Sequence, residues 1–344
     1  MHDISRMIHA NPRRWWRRAA VILAAMAAIA ATVVYPVAVD DRGTEVTRYR
    51  NAFLAERATA ADWEWPGDRP PASFHVSAEQ VPPPLLAWLA ANTPQDAPSD
   101  WALARALASR LHGYTRDGGA IADDVVTSLR LMQAKQTGYC ADYVRVFEAL
   151  AQGAGLTTRQ WAFAFDGYGG WGHTVNEVWD RRERRWTMVD VFGGFVPTNR
   201  AGQPLSALEF RRLLLESPGS IVFDRLHPVR FGFRDDAAAL DYYLRGRHEW
   251  YLWNGNHALQ YDNDTWVQAA GRFGRAPEQV VAMLRGTIAE LQILPDPESE
   301  AAFAALERTR WRLVAAFAAE VVLGIGLLWC LIAGRRCRVA ASQL

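Results

Sequence analysis

Two long unbroken apolar runs flank a middle in which apolar residues recur at helix or strand spacing, and these patterns divide the chain. Ala19 to Val39 reads AAVILAAMAAIAATVVYPVAV, 21 residues without a charge, which at about 1.5 Å per residue covers a hydrocarbon core of roughly 30 Å. Leu313 to Gly334, LVAAFAAEVVLGIGLLWCLIAG, is a second such run. Arg13, Arg14, Arg17 and Arg18 precede the first run and Asp40 and Asp41 follow it, while Arg335, Arg336 and Arg338 follow the second. By the positive-inside rule this pattern predicts an inner-membrane protein with residues 1–18 and 335–344 cytoplasmic, spans at 19–39 and 313–334, and residues 40–312 facing the periplasm. Trp15, Trp16 and Trp311 fall at the edges of the runs, where indoles are favoured. The alternative for the first run is a cleaved signal peptide ending near Ala28-Ile29-Ala30, in which case the second run still anchors the protein. Glu320 lies inside the second run and calls for a partner in the membrane or a position from which its carboxylate reaches the interface.

Between the runs, residues 40–98 are rich in proline and charge and read as a lead-in with short elements. Ser99 predicts a helix cap, Trp101, Ala104, Ala108 and Leu111 share one helical face, and Gly113 marks the stop. Gly138 to Ala151 reads as a loop entering a buried helix, with Tyr143, Val144, Phe147, Leu150 and Ala151 at helical spacing and Cys140 in the first turn. Three strand-like runs follow at Arg159 to Asp166, Gly172 to Asp180 and Arg184 to Phe192. Helix-like runs at Ser206 to Glu216, Asp235 to Arg245 and Pro277 to Leu291 make 201–312 a helical extension of a core at 99–200. The predicted class is α+β.

Composition narrows the function. The 344 residues carry 38 basic and 37 acidic side chains, a net charge of +1 that gives no pull on a nucleic acid. No CxxC pair or Cys/His cluster has metal-site spacing, and His75, His112, His227, His248 and His257 are scattered, so no metal is expected. The sole lysine, Lys135, leaves no GxxxxGK phosphate loop, and GxSxG and SxxK are absent, so no cofactor is expected either. Of the three cysteines, Cys330 lies in the second run and Cys337 beyond it, which leaves Cys140 alone in the exported region. A thiol without a partner in an oxidising compartment is a liability unless its chemistry is used. Free backbone N–H groups at a helix start favour its thiolate. A hairpin around Asp180-Arg181-Arg182-Glu183, with Trp179 paired to Arg184, sets His173 opposite Asp190 on one face, with Cβ atoms about 5 Å apart. A carboxylate then orients an imidazole that faces a thiolate.

The strings Gly138-Tyr139-Cys140-Ala141-Asp142-Tyr143, Gly153-Ala154-Gly155-Leu156, Gly172-His173-Thr174-Val175-Asn176-Glu177-Val178-Trp179 and Trp186-Thr187-Met188-Val189-Asp190 together resemble the bacterial transglutaminase-like superfamily. The resemblance covers roughly residues 100 to 195. It implies a papain-like core with Cys140 as nucleophile, His173 as base and Asp190 as the orienting group. Val175 and Val191 stand where that family usually has an aromatic residue and a proline, which bears on the acceptor-side pocket more than on the three catalytic types.

The expected chemistry is attack of Cys140 on an amide or ester carbonyl, a thioester intermediate, and transfer to an amine or to water. The oxyanion donors considered are the backbone N–H of Cys140 and the side-chain amide of Gln136 or Gln133. Location suggests envelope proteins, peptides or polysaccharides as substrates. The competing reading is an inactive scaffold or glycan-binding module that uses the aromatic stretch 248–266, with Trp250, Tyr251, Trp253, Tyr261 and Trp266 as a stacking surface.

Overall fold

The computed structural model describes residues 12–40, 43–94, 96–114, 119–135, 137–228 and 231–342. The chain separates into two compact units: one of the termini, up to Tyr49 and from Ala305, and one of Arg50–Ala304. In chain order the elements are α1 (Pro12–Val39), α2 (Thr44–Leu54), β1 (Ala55–Arg57), β2 (His75–Val76), α3 (Pro83–Asn92), α4 (Asp100–His112), α5 (Val125–Lys135) and α6 (Cys140–Gly153). They continue with β3 (Thr158–Ala164), β4 (Gly172–Asp180), β5 (Arg185–Val189), β6 (Phe195–Thr198), α7 (Ala207–Glu216), β7 (Val222–Arg225) and α8 (Asp236–Arg245). The last are β8 (Trp250–Trp253), β9 (Gly255–Asn256), α9 (Ala258–Asn263), α10 (Thr265–Gly271), α11 (Arg275–Arg285), β10 (Leu291–Ile293) and α12 (Glu300–Ser342).

In the terminal unit, α1 and the later part of α12 are each long and apolar enough to cross a membrane. They lie side by side where small residues allow close approach: a Cβ on Gly334 would stand 3.4 Å from Trp15 and 3.5 Å from Trp16, and one on Gly326 would stand 3.6 Å from Ile22. Arg338 stacks over Trp16 at 5.2 Å. The buried Oε1 of Glu320 meets no hydrogen-bond partner among the described residues.

The larger unit is built on a six-stranded sheet of order β1-β10-β8-β3-β4-β5. Only β1 and β10 pair in parallel, so the sheet is mixed and the unit is α+β. Side chains alternate between two cores. On one face Val178 and Val189 pack with Leu107, Ala108 and Leu111 of α4, Leu129 and Met132 of α5, and Val146, Phe147 and Leu150 of α6. On the other, Trp161, Phe163, Val175, Met188, Trp250 and Leu252 pack with Phe210 of α7 and Tyr243 of α8. Ser99 caps α4 by accepting from the Ala102 N–H at 3.1 Å, and Ala104, Ala108 and Leu111 are fully buried.

The second core encloses a buried ion pair between Glu177 and Arg159. Glu177 and Arg159 are both almost fully enclosed, with Nε of Arg159 donating to Oε2 at 2.6 Å. The same oxygen accepts from the Trp161 indole at 2.7 Å, and Oε1 accepts from the Ala207 N–H at the start of α7 at 2.7 Å. Trp65, Trp161 and Trp186 surround the guanidinium at 4.1–5.4 Å.

Three expectations need correction. Residues 201–312 are not a purely helical extension: β8 lies between β3 and β10 inside the main sheet, so this segment completes the core. Trp250, Tyr251 and Leu252, whose side chains alternate between the two faces of the sheet, are all buried, as a strand covered on both faces requires. Nor does the helix starting near Pro277 run to Leu291. It stops at Arg285 because Gly286 takes a left-handed conformation at φ +65°, and Leu291 begins β10. The β4–β5 register also differs by two residues. Trp179 pairs with Trp186 and Asp180 with Arg185, so His173 is not directly opposite Asp190. The four turn residues Arg181–Arg184 are held by the Asp180 carboxylate, which accepts from Arg182 N–H at 2.8 Å and Glu183 N–H at 3.2 Å, and Arg184 closes the turn at φ +52°. A shift of two keeps side-chain parity, so His173 and Asp190 still share a face.

Candidate functional site

The site begins at the entry to α6. Gly138 turns the chain at φ +118°, a value that suits glycine, and its N–H donates to the Gly119 carbonyl at 3.1 Å. Asp142, in the first helical turn, ties the entry down. Its Oδ2 accepts from the N–H groups of Tyr139 at 2.8 Å and Ile121 at 3.0 Å, and its Oδ1 from that of Ala122 at 3.0 Å. A single buried carboxylate thus joins the 119–122 loop to the helix start and adds negative charge where the helix end is positive. Cys140 is the first residue of the helix and half-buried.

His173 lies at the start of β4 and is 5% exposed. Its ring is enclosed by those of Phe163 at 5.7 Å, Phe192 at 6.4 Å, Tyr242 at 5.6 Å and Tyr243 at 5.8 Å. Asp190 follows β5 at a turn in which its own carbonyl accepts from Gly194 N–H at 2.9 Å and Phe195 N–H at 3.2 Å. Its carboxylate is fully buried. Oδ2 lies 2.8 Å from Nε2 of His173 and 2.6 Å from the Tyr243 hydroxyl, and Oδ1 accepts from the Gly193 N–H at 2.7 Å. Gly193 is needed for that approach, since a Cβ there would stand 2.2 Å from Oδ2.

Electrostatics follows from this enclosure. Burial pulls the His173 imidazole down, but the Asp190 charge, with Cys140 and Tyr242, outweighs it and raises the imidazolium well above an ordinary histidine. Burial pushes the Asp190 carboxyl up, and the charge and bond of His173 with the donors Tyr243 and Gly193 bring it below the usual carboxylate range. Cys140 is within electrostatic reach of His173, Tyr242 and Tyr243. Cys140, His173 and Asp190 therefore belong to one neighbourhood. Exposed aromatic rings flank it: Tyr139, beside Cys140, is 51% exposed, and Trp171, two residues before His173, is 49% exposed.

Other expected residues fare differently. Gln136 lies outside the described residues. Gln133 is exposed and its amide meets the Tyr114 hydroxyl at 3.4 Å. Of the remaining histidines, His112 is buried with Nδ1 3.1 Å from the Val191 carbonyl, His248 meets Asp296 at 3.1 Å, and His75 stacks on His257 at 4.8 Å. Among the described residues no group of three or more His, Cys, Asp or Glu side chains is arranged to hold a metal ion. In the aromatic stretch 248–266, Trp250 and Tyr251 are buried in β8 and Tyr261 donates to Glu278, so only Trp266 presents a widely exposed ring. The residues that sequence reasoning missed are Tyr243 and Gly193. The helical spacing of Ala239 and Tyr243 marks one buried face of α8, and a buried tyrosine hydroxyl generally has a partner. Nothing in the spacing named Asp190 as that partner.

Comparison of the chain with models of known protein families, with curated proteins and with solved structures finds no match. The resemblance to the transglutaminase-like superfamily therefore stands on the residues of this chain.

Proposed function

We propose that the protein is a membrane-anchored cysteine acyltransferase or amidohydrolase of transglutaminase-like type, with a papain-like core facing the periplasm and both termini in the cytoplasm. The observation that carries the reading is a buried imidazole, bonded at 2.8 Å to a buried carboxylate, in electrostatic reach of a cysteine that opens a helix. With Asp190 ionised, Nε2 of His173 is the donor in that bond, and Nδ1 is the nitrogen left to exchange a proton with the sulfur. The Cys140 thiolate attacks an amide or ester carbonyl, forming a C–S bond. The carbonyl oxygen takes the negative charge, with the backbone N–H of Cys140 at the helix start as one donor to it. Collapse expels the amine or alcohol, which takes its proton from Nδ1 of His173 and leaves a thioester. An amine or water, deprotonated by His173, then releases the acyl group and restores the thiol. Envelope proteins, peptides and polysaccharides are the substrates this location offers.

The test is intact-mass analysis of the full-length protein after exposure to envelope extracts. The expected result is a hydroxylamine-labile acyl adduct on Cys140, absent from Cys140→Ala and from His173→Ala. Absence of an adduct from wild type, or an adduct that survives in His173→Ala at wild-type level, overturns the reading.

A further inference from the structure

Tyr243 comes from α8, a segment to which nothing in the sequence assigned a role, and it donates to the one carboxylate oxygen that His173 also uses. Both bonds end on Oδ2 of Asp190, the phenol at 2.6 Å and the imidazole at 2.8 Å. The carboxylate is fully buried, so no bulk water competes for that oxygen. The phenol ring has no room to swing, because Phe163 at 5.1 Å, Phe210 at 5.0 Å and Phe195 at 5.6 Å pack around it. Tyr243 is itself fully buried, and its packing fixes where the hydroxyl points.

We propose that Tyr243 is a positioning residue of this site, holding Asp190 in its rotamer and sharing its negative charge so that His173 binds a proton tightly enough to pair with a thiolate yet can still release it. The proposal deepens the acyl-transfer reading and rests on it. Two donors on one oxygen compete: each draws charge from the carboxylate, and loss of either strengthens the other. Burial, with the charge of Asp190 next, raises the Tyr243 phenol well above an ordinary tyrosine, so it stays a donor wherever the site works. The other groups facing this cluster are Cys140 from α6, Tyr242 from α8 with Arg245 one turn further on, and His112 from α4, whose Nδ1 is 3.1 Å from the Val191 carbonyl. The hydrogen bonds described on the Asp190 carboxylate come from His173, Tyr243 and Gly193.

The experiment is the rate of iodoacetamide alkylation of full-length protein in detergent, followed on the Cys140 peptide across pH. A thiolate paired with an imidazolium gives two steps, the upper where His173 loses its proton. Tyr243→Phe keeps the ring and its packing, removes the donor, and moves the upper step to higher pH by about one unit. Asp190→Asn moves it to lower pH. A purely structural Tyr243 would loosen the site, so an upper step that is unmoved or lowered in Tyr243→Phe overturns the proposal. Should that variant fold poorly, 3-fluorotyrosine at position 243 keeps the hydroxyl as a stronger donor. It lowers the upper step, and no shift again overturns the proposal. A wild-type profile with one ordinary thiol step, unchanged by His173→Ala, instead removes the acyl-transfer reading and the role of Tyr243 with it.

Discussion

Asp142→Asn is the perturbation that connects the fold most directly to the position of Cys140. The carboxylate accepts three backbone N–H groups, two on Oδ2 from Tyr139 and Ile121 and one on Oδ1 from Ala122. An amide offers one acceptor oxygen, so its better orientation keeps two of these bonds and turns an NH2 group toward the third donor. Losing one part-buried hydrogen bond to a charged group costs about 1.5–3 kcal/mol. Losing a negative charge at a helix N-terminus costs about 0.3–1 kcal/mol more. The total is about 2–4 kcal/mol, which for a unit of this size lowers the melting temperature by roughly 4–16 °C. Urea or thermal unfolding of the full-length protein in detergent, followed by tryptophan fluorescence, measures the loss. Alkylation of Cys140 in the folded variant should slow, because the 119–122 loop and the helix entry lose their common tie. The reasoning is refuted if Asp142→Asn lies within about 0.5 kcal/mol of wild type, the range of an inconsequential surface change, and reacts at the wild-type rate.

Two other substitutions read the interior. Glu177→Gln leaves Arg159 buried among three indoles with its carboxylate partner gone, so it should cost about 3–5 kcal/mol in the same unfolding assay, and a change under 1 kcal/mol would show that the pair is not enclosed as described. Burial raises the Glu148 carboxyl to about 8 from its ordinary 4.5, and its Oε1 lacks a partner among the described residues. The folded state then holds a proton that the unfolded state releases, so the contribution of Glu148 to stability is greatest below about pH 4.5 and falls by up to about 1.4 kcal/mol per pH unit as pH rises toward 8. Glu148→Gln should flatten that slope in unfolding curves taken from pH 5 to pH 8, and an unchanged slope would exclude Glu148 as its source.

How far the chain could be read in advance depended on whether the information was local. The apolar runs, the Ser99 cap and the Cys140 helix start are set by neighbours a few residues apart, and they were legible. So were His173 and Asp190 as partners on one face, since an error of two residues preserves parity. The register itself was missed because it depends on the turn: Asp180 accepts two turn N–H groups and Arg184 adopts a left-handed backbone, which moves the four-residue turn one position along the chain and so changes the pairing by two. The place of β8 was hidden for a different reason. Trp250-Tyr251-Leu252-Trp253 carries no alternation, and only the long-range pairing with β3 and β10 identifies it as a central strand rather than an aromatic surface. Tyr243 was invisible as a donor to Asp190 because 53 residues separate the two.

The central claim is that Cys140 is a nucleophile driven by His173 and Asp190, and a chromogenic ester tests it without knowledge of the natural substrate. Mixed rapidly with p-nitrophenyl acetate, the wild-type protein should release a burst of nitrophenol equal to its concentration, with the acetyl group found by mass spectrometry on Cys140, and His173→Ala should show no burst. Slow release at equal rates in wild type, His173→Ala and Cys140→Ala, with no acetyl group on Cys140, would contradict the account.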